Sequence, residues 1–312
     1  MSELSPVAAA FDGVLALPDW GVIRATGPDA ASFLQGQLTQ DITGLAPGQA
    51  RLSGYCSAKG RLLASFIVWR PAADSVLLAC SADLLPATLK RLQMFVLRAK
   101  ARLTDASAEL PVHGLAGAPA AALSGRLGPW QVGEEQGGFV LRLPDVDGVP
   151  RGLRFGAAAP AAQPALPAEA WAWLEVRSAV PRITTATAEQ FVPQMVNLEL
   201  LDGVNFRKGC YPGQEVVARS QYRGTLKRRA FLLGAQAAAQ PGQEVFHEAD
   251  GANPAGMVVN AASFDGRHVL LAELKLAVLD HGTLRLGAPD GPLLERLPMP
   301  YPVPVDASSA AA

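Results

Sequence analysis

The sequence predicts α+β layers followed by a small antiparallel β-barrel. Three observations carry this reading. The first hundred residues read strand, helix, strand, strand, helix, an order that builds a mixed layer rather than a doubly wound parallel sheet. From Phe231 onward, short apolar runs are punctuated by Pro241-Gly242, Asp250-Gly251, Asp265-Gly266 and His281-Gly282, the spacing of a small barrel. Finally, 49% hydrophobic and 18% charged residues in a chain of 312 supply cores for two domains, or for three small ones.

The elements follow in order. Gly21–Thr26 is a short extended run, broken by Gly27-Pro28-Asp29. Asp29 is placed to cap a helix over Ala30–Gln37, with Phe33 and Leu34 on its apolar face. Leu52–Tyr55 and Leu62–Trp69 read as strands joined by the turn Ser57-Ala58-Lys59-Gly60, and Val76–Cys80 continues the sheet. Ser81 or Asp83 then starts a long helix to about Lys100, on which Leu85, Leu89, Leu92, Val96 and Ala99 keep the 3.6-residue period. Residues 104–168 are rich in Ala, Gly and Pro and give no clear period, and Ala157–Ala168 reads as a linker or surface excursion. Glu169–Ser178 is a helix carrying Trp171 and Trp173. The end, Leu297–Ala312, reads as an extended strap with a frayed tip.

Composition excludes several classes. Twenty-seven basic against 28 acidic residues leave no bulk charge for coating nucleic acid, so direct nucleic-acid binding is not expected, a local basic patch aside. No apolar run approaches the ~20 residues of a membrane span. Met1–Ala10 lacks the basic start of a secretory signal. Cys56, Cys80 and Cys210 are odd in number and far apart, and the four histidines lack ligand spacing, so neither a disulfide scaffold nor a metal site is expected. A reduced, cytoplasmic compartment fits.

The segment with most chemistry is Asn205–Arg219. Pro212-Gly213 suits the centre of a type II turn, and Gln214 can open a helix. That geometry brings the Cys210 sulfur towards free backbone N–H groups, with Lys208, Arg207 and Arg219 adding positive charge; each favours thiolate over thiol. The same residues are compatible with a small, inert cysteine buried in a turn. Further on, Arg219, Arg223, Lys227, Arg228 and Arg229 put five cations in eleven residues. A solvated linker entering the barrel is favoured over an RNA or polyglutamate contact. The cations of Lys90–Arg102 read as the polar face of the leucine-striped helix.

Lys208-Gly209-Cys210-Tyr211-Pro212-Gly213-Gln214-Glu215 resembles the K-G-C-Y-x-G-Q-E signature of the YgfZ family, folate-binding proteins similar in fold to the glycine-cleavage T-protein. Phe191–Leu198 resembles the family's F-x-P-Q-x-x-N-L lead-in, Gln35–Asp41 its Q-G-Q-x-T-x-D element, and Cys56–Arg61 its C-x-x-K-G-[RK] turn. The four elements fall in order within residues 19–229, and the barrel matches by pattern only.

The resemblance implies an α+β fold in which two ferredoxin-like domains and the C-terminal barrel form a ring. The first, folate-binding domain would take residues 1–50 and 165–225, the second 51–164, and the barrel 226–312. It also implies tetrahydrofolate or a derivative as ligand, and a role in iron–sulfur cluster assembly or maintenance and tRNA modification. The partners would be iron–sulfur enzymes, cluster carriers or tRNA-modifying enzymes, and Cys210 with Lys208 would be the functional thiol and its activator. Trp20 and Trp171 match the family's two folate-contacting tryptophans; read without the resemblance, they are ordinary core residues. Gln194 and Asn197 suit pterin or backbone partners, or turn capping. The T-protein's catalytic carboxylate falls at Ala64 and Ser65, which cannot carry its charge. Its pterin-binding glutamate falls at Arg177, which suits a glutamate tail instead, with Glu175 two residues away. Folate binding without aminomethyl transfer is therefore expected; a folate-dependent aminomethyltransferase with a relocated acid is the alternative.

Overall fold

The computed structural model describes residues 10–135, 137–156, 163–222, 226–279 and 281–305. The N-terminal residues 1–9, residues 157–162 of the Ala157–Ala168 excursion, Arg223 and the tip 306–312 lie outside the described residues. The chain divides into two compact units, Met1–Gln35 with Asp41–Arg51 and Phe66–Leu174, and Gly36–Gln40 with Leu52–Ser65 and Glu175–Ala312.

Two five-stranded antiparallel sheets come first. One is built from β2 (Trp20–Thr26), β3 (Ala50–Cys56), β4 (Leu62–Ala72), β5 (Ser75–Ser81) and β6 (Arg102–Asp105), in the order β3-β4-β5-β2-β6. Helix α1 (Ala30–Gln35) follows β2 and α2 (Leu85–Met94) follows β5. With β3 set aside, this is the β-α-β-β-α-β arrangement of ferredoxin-like folds. The other sheet runs β1-β7-β10-β9-β8, from β1 (Gly13–Ala16), β7 (Val112–Ala116), β8 (Val132–Glu135), β9 (Gly138–Val146) and β10 (Val149–Phe155). Helix α3 (Ala118–Ser124) follows β7, and α4 (Ala168–Arg177) follows β10. The plan is the same, except that its fourth strand is the chain's first, β1, antiparallel to β7 over Gly13↔Ala116 to Ala16↔His113.

This pairing moves the domain boundaries away from the expected 1–50 with 165–225 against 51–164. Val22, Ile23 and Ala25 of β2 are fully buried, and the strand has a hydrogen-bonded neighbour on each edge. Those neighbours are β5 and β6, from within the expected second domain. The sheet of β7 to β10 lies in the stretch 104–168 that shows no sequence period.

Two local expectations are also corrected. The Asp29 carboxylate does not cap α1; its Oδ2 accepts the Lys100 backbone N–H at 2.7 Å. Helix α2 ends at Met94, not near Lys100. Leu97 turns to φ +31° and is 87% exposed, and the chain then folds back to lay β6 beside β2. The period continues through Val96 and Ala99 because both stay half-buried in that turn.

The second unit ends in the predicted barrel. Strands β11 (Arg228–Ala235), β12 (Glu244–His247), β13 (Gly256–Phe264), β14 (Arg267–Lys275), β15 (Leu284–Leu286) and β16 (Leu293–Arg296) close in the order β11-β14-β13-β12-β15-β16. Closure leaves no bare strand edge. Phe231, Leu233, Val245, Val258, Leu270 and Leu274 are among the residues of its core, and Met299 and Val303 of the strap pack against it. Among the described residues no helix is long and apolar enough to cross a membrane.

Candidate functional site

Two turns of the second unit meet glycine to glycine. The first joins β3 to β4: the Gly60 N–H donates to the Ser57 carbonyl at 2.9 Å, and Ser57 N–H to Arg61 O at 2.8 Å. The second is Tyr211-Pro212-Gly213-Gln214, closed by the Gln214 N–H on Tyr211 O at 3.2 Å. Gly213 has φ +78°, as the third position of a type II turn requires, and helix α5 (Gln214–Tyr222) starts directly after it. A Cβ on Gly213 would lie 2.6 Å from Gly60 Cα and closer still to the Ser57 carbonyl oxygen. A Cβ on Gly60, at φ +72°, would lie 2.8 Å from Val216 Cβ. The two motifs therefore touch through backbone that only glycine permits.

Each side of the second turn is anchored. Lys208 Nζ donates to Leu38 O at 2.5 Å and stands 5.1 Å from the centre of the Tyr211 ring. Tyr211 is buried, and its phenol is pushed up, first by burial and then by Cys56. Gln194 Nε2 donates to Val217 O at 2.8 Å and ties down α5. Between these anchors Gly209 and Cys210 are exposed. The other two cysteines are buried, and burial pushes the thiols of Cys56 and Cys80 up to about 12. One thiol of the three is thus offered to solvent. The ammonium of Lys208 is spent on Leu38 and Tyr211, so Lys208 holds the loop in place.

The residues expected at a folate are distributed differently from the expectation. Trp20 opens β2 and is half-buried, as is Arg177 at the end of α4. Trp171 is 2% exposed and packs on β7, where a Cβ at Gly114 would lie 2.7 Å from its Cδ2. Its indole N–H is buried without a partner. Gln194 and Asn197 are both buried and serve backbone: Asn197, at φ +60°, donates through Nδ2 to Ala230 O at 2.8 Å. Trp20 and Arg177 are thus partly exposed, whereas Trp171, Gln194 and Asn197 are buried. Ala64 is fully buried, and Ser65 Oγ accepts the Ile183 N–H at 2.9 Å. Glu215 is exposed and lies 3.9 Å from Arg219.

Much of the basic run at 219–229 is structural. Arg228 makes two 2.8 Å hydrogen bonds to Glu273. Arg229 is buried and paired with the buried carboxylate of Glu199. Sequence reading missed Glu199. The signal lay in one acid two residues after the lead-in's asparagine, opposite a surplus of arginines. It also missed that the C-x-x-K-G-[RK] and K-G-C-Y-x-G-Q-E turns are in contact; a glycine in each was the available clue.

Comparison with known proteins gives concordant results. Residues 13–140 match the family model of the GCVT N-terminal domain. The chain is 36% identical over 249 residues to the tRNA-modifying protein YgfZ of Edwardsiella ictaluri, covering 73% of this chain and 72% of that protein. It is 31% identical over 301 residues to that of Vibrio vulnificus (91% of each) and 29% over 312 residues to that of Klebsiella pneumoniae (92% of each). The crystal structure of the glycine cleavage system aminomethyltransferase T from Bartonella henselae has a similar fold, with TM-score 0.75 at 17% identity over 93% of this chain and 86% of that one. With two α+β sheets, a closed barrel and all four motifs in order, the chain belongs to the YgfZ family.

Proposed function

We propose that this chain is a tetrahydrofolate-binding accessory protein of tRNA modification that works beside iron–sulfur enzymes or cluster carriers, with Cys210 as its functional thiol. The observation that carries the reading is the exposed Cys210 on a turn fixed by two interlocked glycine motifs, while Cys56 and Cys80 are buried. The names of the relatives support the tRNA role, and the T-protein-like fold supports a folate. A reduced folate supplies one-carbon chemistry when bound. Trp20 would offer its ring to the pteridine. Nothing at Ala64 or Ser65 favours the alternative, aminomethyl transfer, since neither supplies a carboxylate.

The test joins two readouts. In a strain lacking the protein, mass spectrometry of tRNA nucleosides is expected to show modification restored by the intact chain and not by Cys210→Ala. Tetrahydrofolate is expected to quench tryptophan fluorescence saturably, with most of the quenching lost in Trp20→Phe. Full restoration by Cys210→Ala would refute the thiol's role, and absence of quenching would refute the folate.

A further inference from the structure

Beside the Cys210 turn lies a surface that the proposed function leaves unused. Tyr222, at the end of α5, is 70% exposed. Phe206, half-buried, meets it edge to face at 5.8 Å between ring centres and an interplanar angle of 73°. A tyrosine propped by a second ring and still open to solvent is a stacking platform. Arg219 lies one helical turn before Tyr222 and so shares its side of α5.

The charge around this platform is one-sided. Residues 205–222 hold Arg207, Lys208 and Arg219 against the single acid Glu215. The touching turn 57–61 adds Lys59, giving four cations to one acid in a chain whose net charge is −1, while Arg61 faces a cavity that it shares with Glu244 and Glu273. Lys208 is tethered to the carbonyl of Leu38. The contact of Arg219 with Glu215, 3.9 Å between exposed side chains, neutralises little. Bulk composition gave no reason to expect nucleic acid; this local arrangement does.

We propose that this face of the second unit holds a single-stranded stretch of RNA, a base stacked on Tyr222 and the phosphates running along Arg207, Arg219 and Lys59. Cations alone would serve any polyanion. The open aromatic adds a stacking site, which the bases spaced along a phosphate chain can use. The RNA would then pass beside the Cys210 thiol. The choice of RNA rests on the tRNA-modification reading.

Fluorescence anisotropy of the full chain with a labelled single-stranded RNA 12-mer and with an unmodified tRNA transcript tests this. Binding is expected to weaken with salt, with a log–log slope of about −0.7 per phosphate contact. Tyr222→Ala is expected to weaken it about tenfold. Lys59→Glu with Arg207→Glu should weaken it further and flatten the salt slope, at unchanged melting temperature. Bound RNA should slow iodoacetamide labelling of Cys210. Absence of binding, or binding indifferent to these substitutions, would overturn the proposal. So would equal competition by polyglutamate with no effect of Tyr222→Ala, which would point to an acidic protein. If RNA binding is absent while Cys210→Ala still fails to restore tRNA modification, the surface proposal falls and the functional reading stands.

Discussion

Gly213→Ala is expected to be among the most damaging single substitutions in the second unit, lowering stability by about 3 kcal/mol. Two costs add. Alanine at φ +78° is strained, and its methyl group would enter the space of Gly60 Cα and the Ser57 carbonyl. Both obstacles are backbone, so no rotamer change relieves them. The turn should open, and the Cys210 loop should lose its fixed position along with its registry against residues 57–60. Urea unfolding measures the loss. Gly209→Ala is the control: nothing lies within 4 Å of a Cβ there, and a change within about 0.5 kcal/mol is expected. If the two substitutions cost the same, the glycine contact does not hold the turns.

Glu199→Ala should be as severe for a different reason. Arg229 is 2% exposed, and its NH1 serves Glu199 Oε1, Gln194 O at 3.3 Å and Asn197 Oδ1 at 3.4 Å. Removing the carboxylate leaves a buried cation without its counter-charge, a loss of about 3–5 kcal/mol. The pair joins the lead-in motif to the first barrel strand, so labelling and unfolding should show both loosening together. Glu199→Gln keeps an acceptor and should cost less. Its cost should also depend on pH. Burial pushes the Glu199 carboxyl up, against the opposing pull of Arg229. A carboxyl whose folded value lies above its unfolded one contributes stability that is full below the unfolded glutamate range and is lost as pH rises through the folded value. The gap between the intact chain and Glu199→Gln should therefore be widest in acid and shrink towards neutral pH. A gap that widens with pH would contradict this.

What the sequence made legible were the features with local causes. Pro212-Gly213 predicts a type II turn and a helix from Gln214, and both are present. The regular Gly-containing turns after Phe231 predict the barrel, because each short strand must reverse before it outgrows the sheet. What stayed hidden has non-local causes. Strand β7, Val112-His113-Gly114-Leu115-Ala116, lacks an alternating pattern because Gly114 gives way to the Trp171 indole. Its neighbour β1 comes from a hundred residues earlier in the chain, which no local period announces. Leu97 turns the chain out of α2 to bring β6 beside β2, although the apolar spacing runs on.

The candidate site follows the same division. The turn after Cys210 is readable in its own neighbours, whereas only the fold decides between an exposed and a buried Cys210, and it exposes the residue. Gln194 and Asn197 stand out as polar residues in an apolar run, but only the fold shows their partners to be the carbonyls of Val217 and Ala230. Trp171 is a suitable pterin wall by residue type, and only the fold shows that it is buried against β7.

The central claim is that the two interlocked turns present Cys210 while Cys56 and Cys80 stay buried. Timed reaction of the native chain with an aromatic disulfide reagent at neutral pH measures this directly. One thiol per chain should react within seconds to minutes and disappear in Cys210→Ser, with the other two released only on unfolding. Equal rates for all three cysteines, or a fast thiol that persists in Cys210→Ser, would contradict the account.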